Sequence, residues 1–460
     1  MAKKVQEEGK PGRKASRLSE GAKARPLDYQ LTYSGKRPAA EIVAGRRAQP
    51  EKRFCVTKSE EAGWRNRLYA GENLGILRAL LDDSTVRGKI RLVYIDPPFA
   101  TGGVFETRKG ERAYEDIAYG ACFLEFLRER LIVLRELMDP QGSIYLHLDE
   151  TMAFPVKIIM DEVFGPTHYR NWITRKKSNR KNFTRNQYGN ISDYVLFYTK
   201  TESYIWNRSY ESWTDEWAAR EYQYIEERTG RRYKKVPVHA PGVRNGETGK
   251  PWRGKMPPPG KHWQYPPRVL DELDAKGEIY WSPTKNPRRK IYFDQSQGVP
   301  VQDIWLDCRD AHNQMIEVTG YPTEKPVEML RRIVAASSDP GDLVLDCFAG
   351  SGTTLVAAEE LGRKWIGIDS GTEAIATTVR RLANGSEAMG DFVRGKKVKE
   401  ATLFDHPSAL QTSFDLYLSD GLTEITPGML DYWMKLFPTD SATVLCPRFR
   451  PGDHPEASPE

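Results

Sequence analysis

The chain has 460 residues, 39% of them hydrophobic, with 69 Lys and Arg against 63 Asp and Glu; this length supports two or three domains and excludes a small stapled fold. Mean hydropathy is −0.63 and no run of about 18 apolar residues occurs, which argues against a membrane-spanning helix and gives no membrane partner. The net charge of +6 hides opposed segments: residues 1–60 sum to +8, 61–168 to −4, 169–300 to +12, 301–400 to −4 and 401–460 to −6.

The first 60 residues are rich in Lys, Arg, Gly, Pro and Ala with little apolar periodicity, and they read as a basic, disordered tail. No apolar signal run opens the chain, and Cys55, Cys122, Cys308, Cys347 and Cys446 are scattered without a C-x-x-C. A cytoplasmic protein without disulfides and without a metal site is the expectation. From Asn73 to Leu81 leucines fall on one helical stripe. The apolar run Leu92 to Ile95 follows as a strand and ends in Asp96-Pro97-Pro98-Phe99. Leu124 to Leu137 is predicted as a helix, Gly142 to Leu148 as a strand and Ala153 to Phe164 as a helix. This alternation with continuously apolar strands predicts an α/β sheet covered by helices on both faces.

Regularity fades between about residues 169 and 301, where seven of the eleven Trp and twelve of the twenty-two Tyr lie among the basic residues. Cations interleaved with flat aromatics suit contact with the phosphates and bases of a nucleic acid, although most of these rings are expected to pack inside the segment. Val195 to Tyr198 is the last clear strand before it. The alternation then resumes with a helix Glu324–Ser337, a strand Leu343–Asp346, a helix Thr353–Leu361, a strand Trp365–Ile368 and a helix Thr372–Leu382. The acidic residues after about 384 carry no readable pattern.

Two segments carry chemistry. Asp346-Cys347-Phe348-Ala349-Gly350-Ser351-Gly352-Thr353-Thr354 sits where a strand turns into a helix, so glycines admit a ligand to the backbone and the helix N-terminus offers free N–H groups. Asp369 ends the next strand, seventeen positions after Gly352, where a carboxylate accepts ribose hydroxyls. Leu355 stands where a dinucleotide fingerprint has its third glycine, which points to a smaller nucleoside cofactor. In the other segment, the Asp96 carboxylate and the Pro97 carbonyl can each accept one N–H of an exocyclic amine, with Phe99 stacked on its ring. A glycine turn that only packs a helix, and a strand merely stopped by prolines, are the alternatives for each segment taken alone.

Together the residues resemble the β group of S-adenosylmethionine-dependent amino-group DNA methyltransferases. D-P-P-F resembles the family's catalytic motif and F-A-G-S-G-T-T its cofactor loop. Gly320-Tyr321-Pro322-Thr323-Glu324-Lys325-Pro326 is similar to the T-x-K-P element that precedes that loop. Residues 68–73, 170–173 and 193–200 are similar to further family segments. Gly71-Glu72 departs from the family's usual Gly-Asp, and Phe99 from its commoner Tyr.

The resemblance implies a Rossmann-like methyltransferase sheet with an inserted, mostly irregular target-recognition module. It divides the chain into a tail (1–60), a catalytic half (61–200), the insert (201–310, its basic region starting near 169), a cofactor half (311–383) and an acidic extension (384–460). It further implies that Asp96, Pro97 and Phe99 hold a flipped base while Pro98 stiffens the turn. Phe348, Gly350, Gly352 and Thr353 would surround S-adenosylmethionine, with Asp346 and Lys325 toward its amino-acid end and Asp369 on its ribose. The expected activity is methylation of adenine N6 in double-stranded DNA, with a homodimer or a restriction subunit as partner. Cytosine N4, RNA, or a subunit active only with a partner are the alternatives. None of the cysteines follows a proline, so a covalent cysteine adduct is not expected.

Overall fold

The computed structural model describes residues 29–57, 63–98, 104–106, 112–115, 120–179, 186–310, 321, 324–384, 413–419, 425–437 and 442–445. The chain divides into two compact units, Met1–Asn207 with Asp303–Glu460, and Arg208–Gln302.

The first unit contains, in chain order, α1 (Ala39–Ala44), β1 (Glu51–Thr57), β2 (Asn66–Ala70), α2 (Asn73–Leu80), β3 (Ile90–Ile95), α3 (Ala121–Leu137), β4 (Met138–Leu148), α4 (Ala153–Phe164), β5 (Tyr169–Lys176) and β6 (Ser192–Thr199). After the second unit come β7 (Ile304–Trp305), α5 (Val327–Ser337), β8 (Leu343–Asp346), α6 (Thr353–Glu360), β9 (Lys364–Asp369), α7 (Thr372–Asn384), β10 (Phe414–Leu418), α8 (Pro427–Met434) and β11 (Ala442–Leu445). The eleven strands form one sheet in the order β7-β5-β6-β4-β3-β8-β9-β2-β10-β1-β11. The run from β4 to β10 is parallel throughout.

Alternation along the strands sends side chains to two cores. Ile144, Leu146, Leu343, Leu345, Ile366 and Ile368 pack with residues of α2, α3 and α4 on one face. On the other, the Tyr145 hydroxyl lies 2.8 Å from Ser337 Oγ of α5, and Gly367 faces Leu355 of α6 so closely that an added Cβ would come within 2.5 Å of its side chain. This is the Rossmann-like methyltransferase sheet that the motifs implied.

Four local differences from the sequence reading have physical causes. Residues 29–57, read as part of a disordered tail, are ordered against the first unit: Tyr33 donates to Glu125 at 2.7 Å, Ile42 is fully buried, and β1 pairs with β10. Their anchors are single side chains and a strand pairing that reach far along the chain, which leave no periodic signature. Residues 1–28 lie outside the described residues. The helix expected from Glu324 starts at Val327, because Pro326 holds extended backbone (ψ 136°) as its N-cap and disfavours helix in the residue before it. The patternless C-terminal segment supplies β10, inserted between β2 and β1, and β11 at the sheet edge.

The second unit is also more regular than its faded periodicity implied. It has a four-stranded antiparallel sheet (Tyr224–Ile225, Arg232–Pro237, Pro287–Tyr292, Ile279–Trp281) and a helix, Pro267–Ala275. Its core holds Trp252, Trp263, Leu270, Leu273 and Ile279. The two central strands, Arg232–Pro237 and Pro287–Tyr292, carry cations on both faces, so no apolar alternation shows in sequence. No helix among the described residues is long and apolar enough to cross a membrane.

Candidate active site

The loops that follow β3, β8 and β9 emerge from the carboxyl ends of three neighbouring parallel strands, the edge where open α/β sheets bind ligands. Asp96 and Pro97 come from the first loop, residues 347–353 from the second, and Asp369 closes the third strand.

Asp96 is partly buried, with 18% of its side chain exposed. Its Oδ2 accepts a charge-assisted hydrogen bond from the buried Lys325 ammonium. Its Oδ1 is shielded from solvent with no hydrogen-bond partner among the described residues, and lies 4.0 Å from His147 Nδ1. Pro97 is buried and Pro98 half-buried. Phe99, Gly320, Pro322 and Thr323 lie outside the described residues. Lys325 thus stands on the Asp96 carboxylate, a contact that the resemblance did not imply.

Behind Asp96 runs a buried polar chain that the sequence reading missed. His147, fully buried on β4, places Nε2 2.9 Å from Asp193 of β6 and Nδ1 2.9 Å from the Tyr94 hydroxyl. Arg175 of β5, also fully buried, donates to Asp193 at 3.0 Å and pairs with Asp310. Burial opposes ionisation of Asp193, but the charges of His147 and Arg175 hold its carboxyl well below the usual carboxylate range. His147 sits inside a strand read from its apolar run, whereas Arg175 and Asp193 lie outside the runs read as strands, so nothing local in sequence links the three.

The glycine loop is built by its own carboxylates. Asp346 Oδ1 accepts from the Phe348 N–H at 2.9 Å and its Oδ2 from the Thr354 hydroxyl at 2.5 Å, closing the turn from β8 into α6. Burial pushes the Asp346 carboxyl up to about 7 against these two hydrogen bonds. Both of its oxygens thus help to shape the loop. Asp369 accepts from Gly350 N–H and Gly371 N–H, each at 2.8 Å, and desolvation pushes its carboxyl above the usual range.

Gly350 (φ +53°) and Gly352 (φ +74°) lie in the left-handed region, and a Cβ on Gly352 would meet Thr378 Oγ1 at 2.8 Å. Phe348 is half-buried, its ring 6.0 Å from that of Phe126. Two clamps absent from the sequence reading fix this loop. Asn73 donates to the Cys347 carbonyl at 2.7 Å and accepts from Arg130 at 2.6 Å. Arg381 pairs with Glu324 at 3.0 Å and donates to the buried Thr353 hydroxyl at 2.9 Å, tying α7 to both the glycine loop and the Glu324–Lys325 segment.

A sequence profile described as DNA methylase matches residues 90–380. The type II methyltransferase M.EcaI of Enterobacter cloacae is 47% identical over 336 residues, 73% of this chain and 73% of that protein. The StyLTI Mod subunit of a type III restriction-modification enzyme of Salmonella typhimurium is 26% identical over 433 residues, 82% of this chain and 63% of that subunit. The DNA adenine methyltransferase YhdJ of Escherichia coli is 46% identical over 159 residues, 31% of this chain and 54% of that protein. Among solved structures, an M1.HpyAVI–SAM complex aligns at 17% identity over 69% of this chain and 98% of that chain, with a TM-score of 0.37.

Proposed function

Because the chain belongs to the N6/N4 DNA methylase family, we propose that it methylates the exocyclic N6 of an adenine turned out of double-stranded DNA, with S-adenosylmethionine as methyl donor. The observation that carries this reading is the Asp96 carboxylate at the end of β3, beside the glycine loop at the end of β8, with one oxygen held by Lys325 and the other without a protein hydrogen bond among the described residues. One amine N–H would be accepted by the Asp96 carboxylate and the other by the Pro97 carbonyl, which draws the nitrogen lone pair out of ring conjugation and aims it outward.

The residues present suit the donor molecule. Gly350 and Gly352 hold backbone that a side chain could not adopt without strain, Thr353 opens α6 behind them, and Asp369 offers a carboxylate for a ribose. Phe348 supplies an apolar wall. When bound, the donor contributes a sulfonium-activated methyl group, so no covalent enzyme adduct is needed. Taking the base out of its stack costs a few kcal/mol, which Phe99 and the Asp96–Pro97 acceptors would offset.

Adenine is favoured over cytosine because an aspartate leads the D-P-P-F motif, where family members acting on cytosine N4 more often carry serine. The similarity to YhdJ, named a DNA adenine methyltransferase, supports the same choice. The similarity to a Mod subunit makes a restriction subunit the partner to test. We assign target recognition to residues 201–310. Incubating the purified chain with methyl-labelled S-adenosylmethionine and duplex DNA, then separating the nucleosides, should give N6-methyldeoxyadenosine. Label in N4-methyldeoxycytidine, or only in RNA, overturns the reading; label that appears only after a restriction subunit is added supports the partner-dependent form.

A further inference from the structure

We propose that one face of the four-stranded sheet in the Arg208–Gln302 unit is a surface for the DNA backbone, with Arg220, Lys235 and Arg288 as its phosphate-binding cations; this rests on the reading that the chain acts on double-stranded DNA. Residues directly opposite in antiparallel strands share a face. The pairs Tyr224↔Tyr233, Tyr233↔Tyr292, Lys235↔Lys290 and Tyr280↔Arg288 therefore put four tyrosines and three cations on one side. Ile279, one strand position away from Tyr280, points to the other side, into the core formed with Leu270 and Leu273 of the helix.

The tyrosine side carries a cleft of about 620 Å³ whose lining includes Arg220, Tyr224, Lys235, Tyr280 and Arg288. Lys235 Nζ lies 3.6 Å from the centroids of both the Tyr224 and the Tyr280 ring, so its charge is held in place without a carboxylate. Several neighbouring cations are paired with acids. Arg231 pairs with Asp294 at 2.7 Å, Lys290 with Glu226 at 2.6 Å and Arg289 with Glu278 at 3.5 Å. The acid in the cleft lining, Glu221, lies 3.4 Å from Lys234.

Arg220, Lys235 and Arg288 have no carboxylate within 4.0 Å among the described residues. Three cations gathered without counter-charge repel one another, an arrangement that a polyanion relieves. Arg presents a planar fork that matches a phosphate, and tyrosine hydroxyls add donors at the rim.

The test is the salt dependence of duplex binding by the full chain, read by fluorescence anisotropy. Each phosphate contact contributes a slope of about 0.9 in log K against log salt. The triple variant R220Q/K235Q/R288Q should lose about 2.7 of slope and at least tenfold in affinity at low salt. The variant R268Q/K276Q, on the helix that covers the opposite face, should keep the wild-type slope. A triple variant with the wild-type slope overturns the proposal. If the triple variant does not fold, K235Q and R288Q singly should each lose about 0.9, and no loss in either overturns it equally. A wild-type chain that binds duplex but methylates no base overturns the functional reading instead, and the slope comparison still decides this one.

Discussion

The ammonium of Lys325 rests on the carboxylate of Asp96, joining two short motifs that stand 229 residues apart in sequence. It gives the loop after β3 and the segment before α5 a shared ionic contact whose two side chains are 18% and 8% exposed respectively. One Asp96 oxygen is thereby committed to the protein, while in the proposed reaction the carboxylate would accept from the substrate amine.

Replacing Lys325 by Met should therefore disable transfer without emptying the cofactor site. Removing one partner of a largely buried pair leaves the other poorly solvated and free to rotate. We expect kcat to fall by at least about tenfold while S-adenosylmethionine affinity changes less than about threefold, with Lys325→Arg recovering part of the loss. Single-turnover methylation and equilibrium dialysis of the labelled donor check both halves. A large loss of donor affinity with unchanged single-turnover rate would return Lys325 to the cofactor's side.

Asp96→Ala should abolish methyl transfer and leave donor binding nearly intact, because Asp96 touches the glycine loop through no hydrogen bond among those described. Loss of both functions together would mean that the two motifs do not divide the work as argued.

Gly352→Ala should cost about 1–3 kcal/mol of stability, since it forces a side chain into left-handed backbone and against Thr378 at 2.8 Å. Pairing it with Thr378→Ala should restore the steric part and leave the backbone strain. Urea denaturation of both variants, with donor titration, separates the two contributions.

The Asp346 carboxyl, pushed up to about 7 by burial, makes stability fall as pH rises. The folded state holds this proton from about pH 4 to 7 where the unfolded chain has released it, so the contribution is fully present below the unfolded value of 3.8 and is lost as pH passes the folded value. Asp193 has the opposite sign: its depressed value contributes stability above the ordinary carboxylate range that is lost on acidification below it. Urea unfolding across pH 4–8 should show the Asp346 decline, on the order of a few kcal/mol, and Asp346→Asn should flatten it while keeping an acceptor for the Phe348 N–H.

Arg381→Met should weaken donor binding from a distance. The lost guanidinium contacts include those to Glu324 at 3.0 Å, Thr353 at 2.9 Å and the Ser351 carbonyl at 3.4 Å, with Glu324 and Thr353 7% and 6% exposed. We expect destabilisation of about 3–5 kcal/mol with a matching rise in donor Kd, measured by denaturation and dialysis. An unchanged Kd in a destabilised variant would confine Arg381 to stability.

By itself the sequence determined the alternating strands and helices, the two loops at the ends of β3 and β8, and the residues those loops present, because continuous apolar runs, Gly-x-Gly and Asp-Pro-Pro are local signals. It also located the basic, aromatic-rich segment. Only the tertiary structure decided that Lys325 meets Asp96, that Asp346 shapes its own loop, and that His147, Asp193 and Arg175 line up behind the site. It likewise placed residues 51–57 and 414–418 side by side in the sheet. Apart from the local turn at Asp346, the physical reason is shared: a buried ion pair or a strand pairing depends on two segments far apart in sequence. Neither segment alone carries a period or spacing that names its partner.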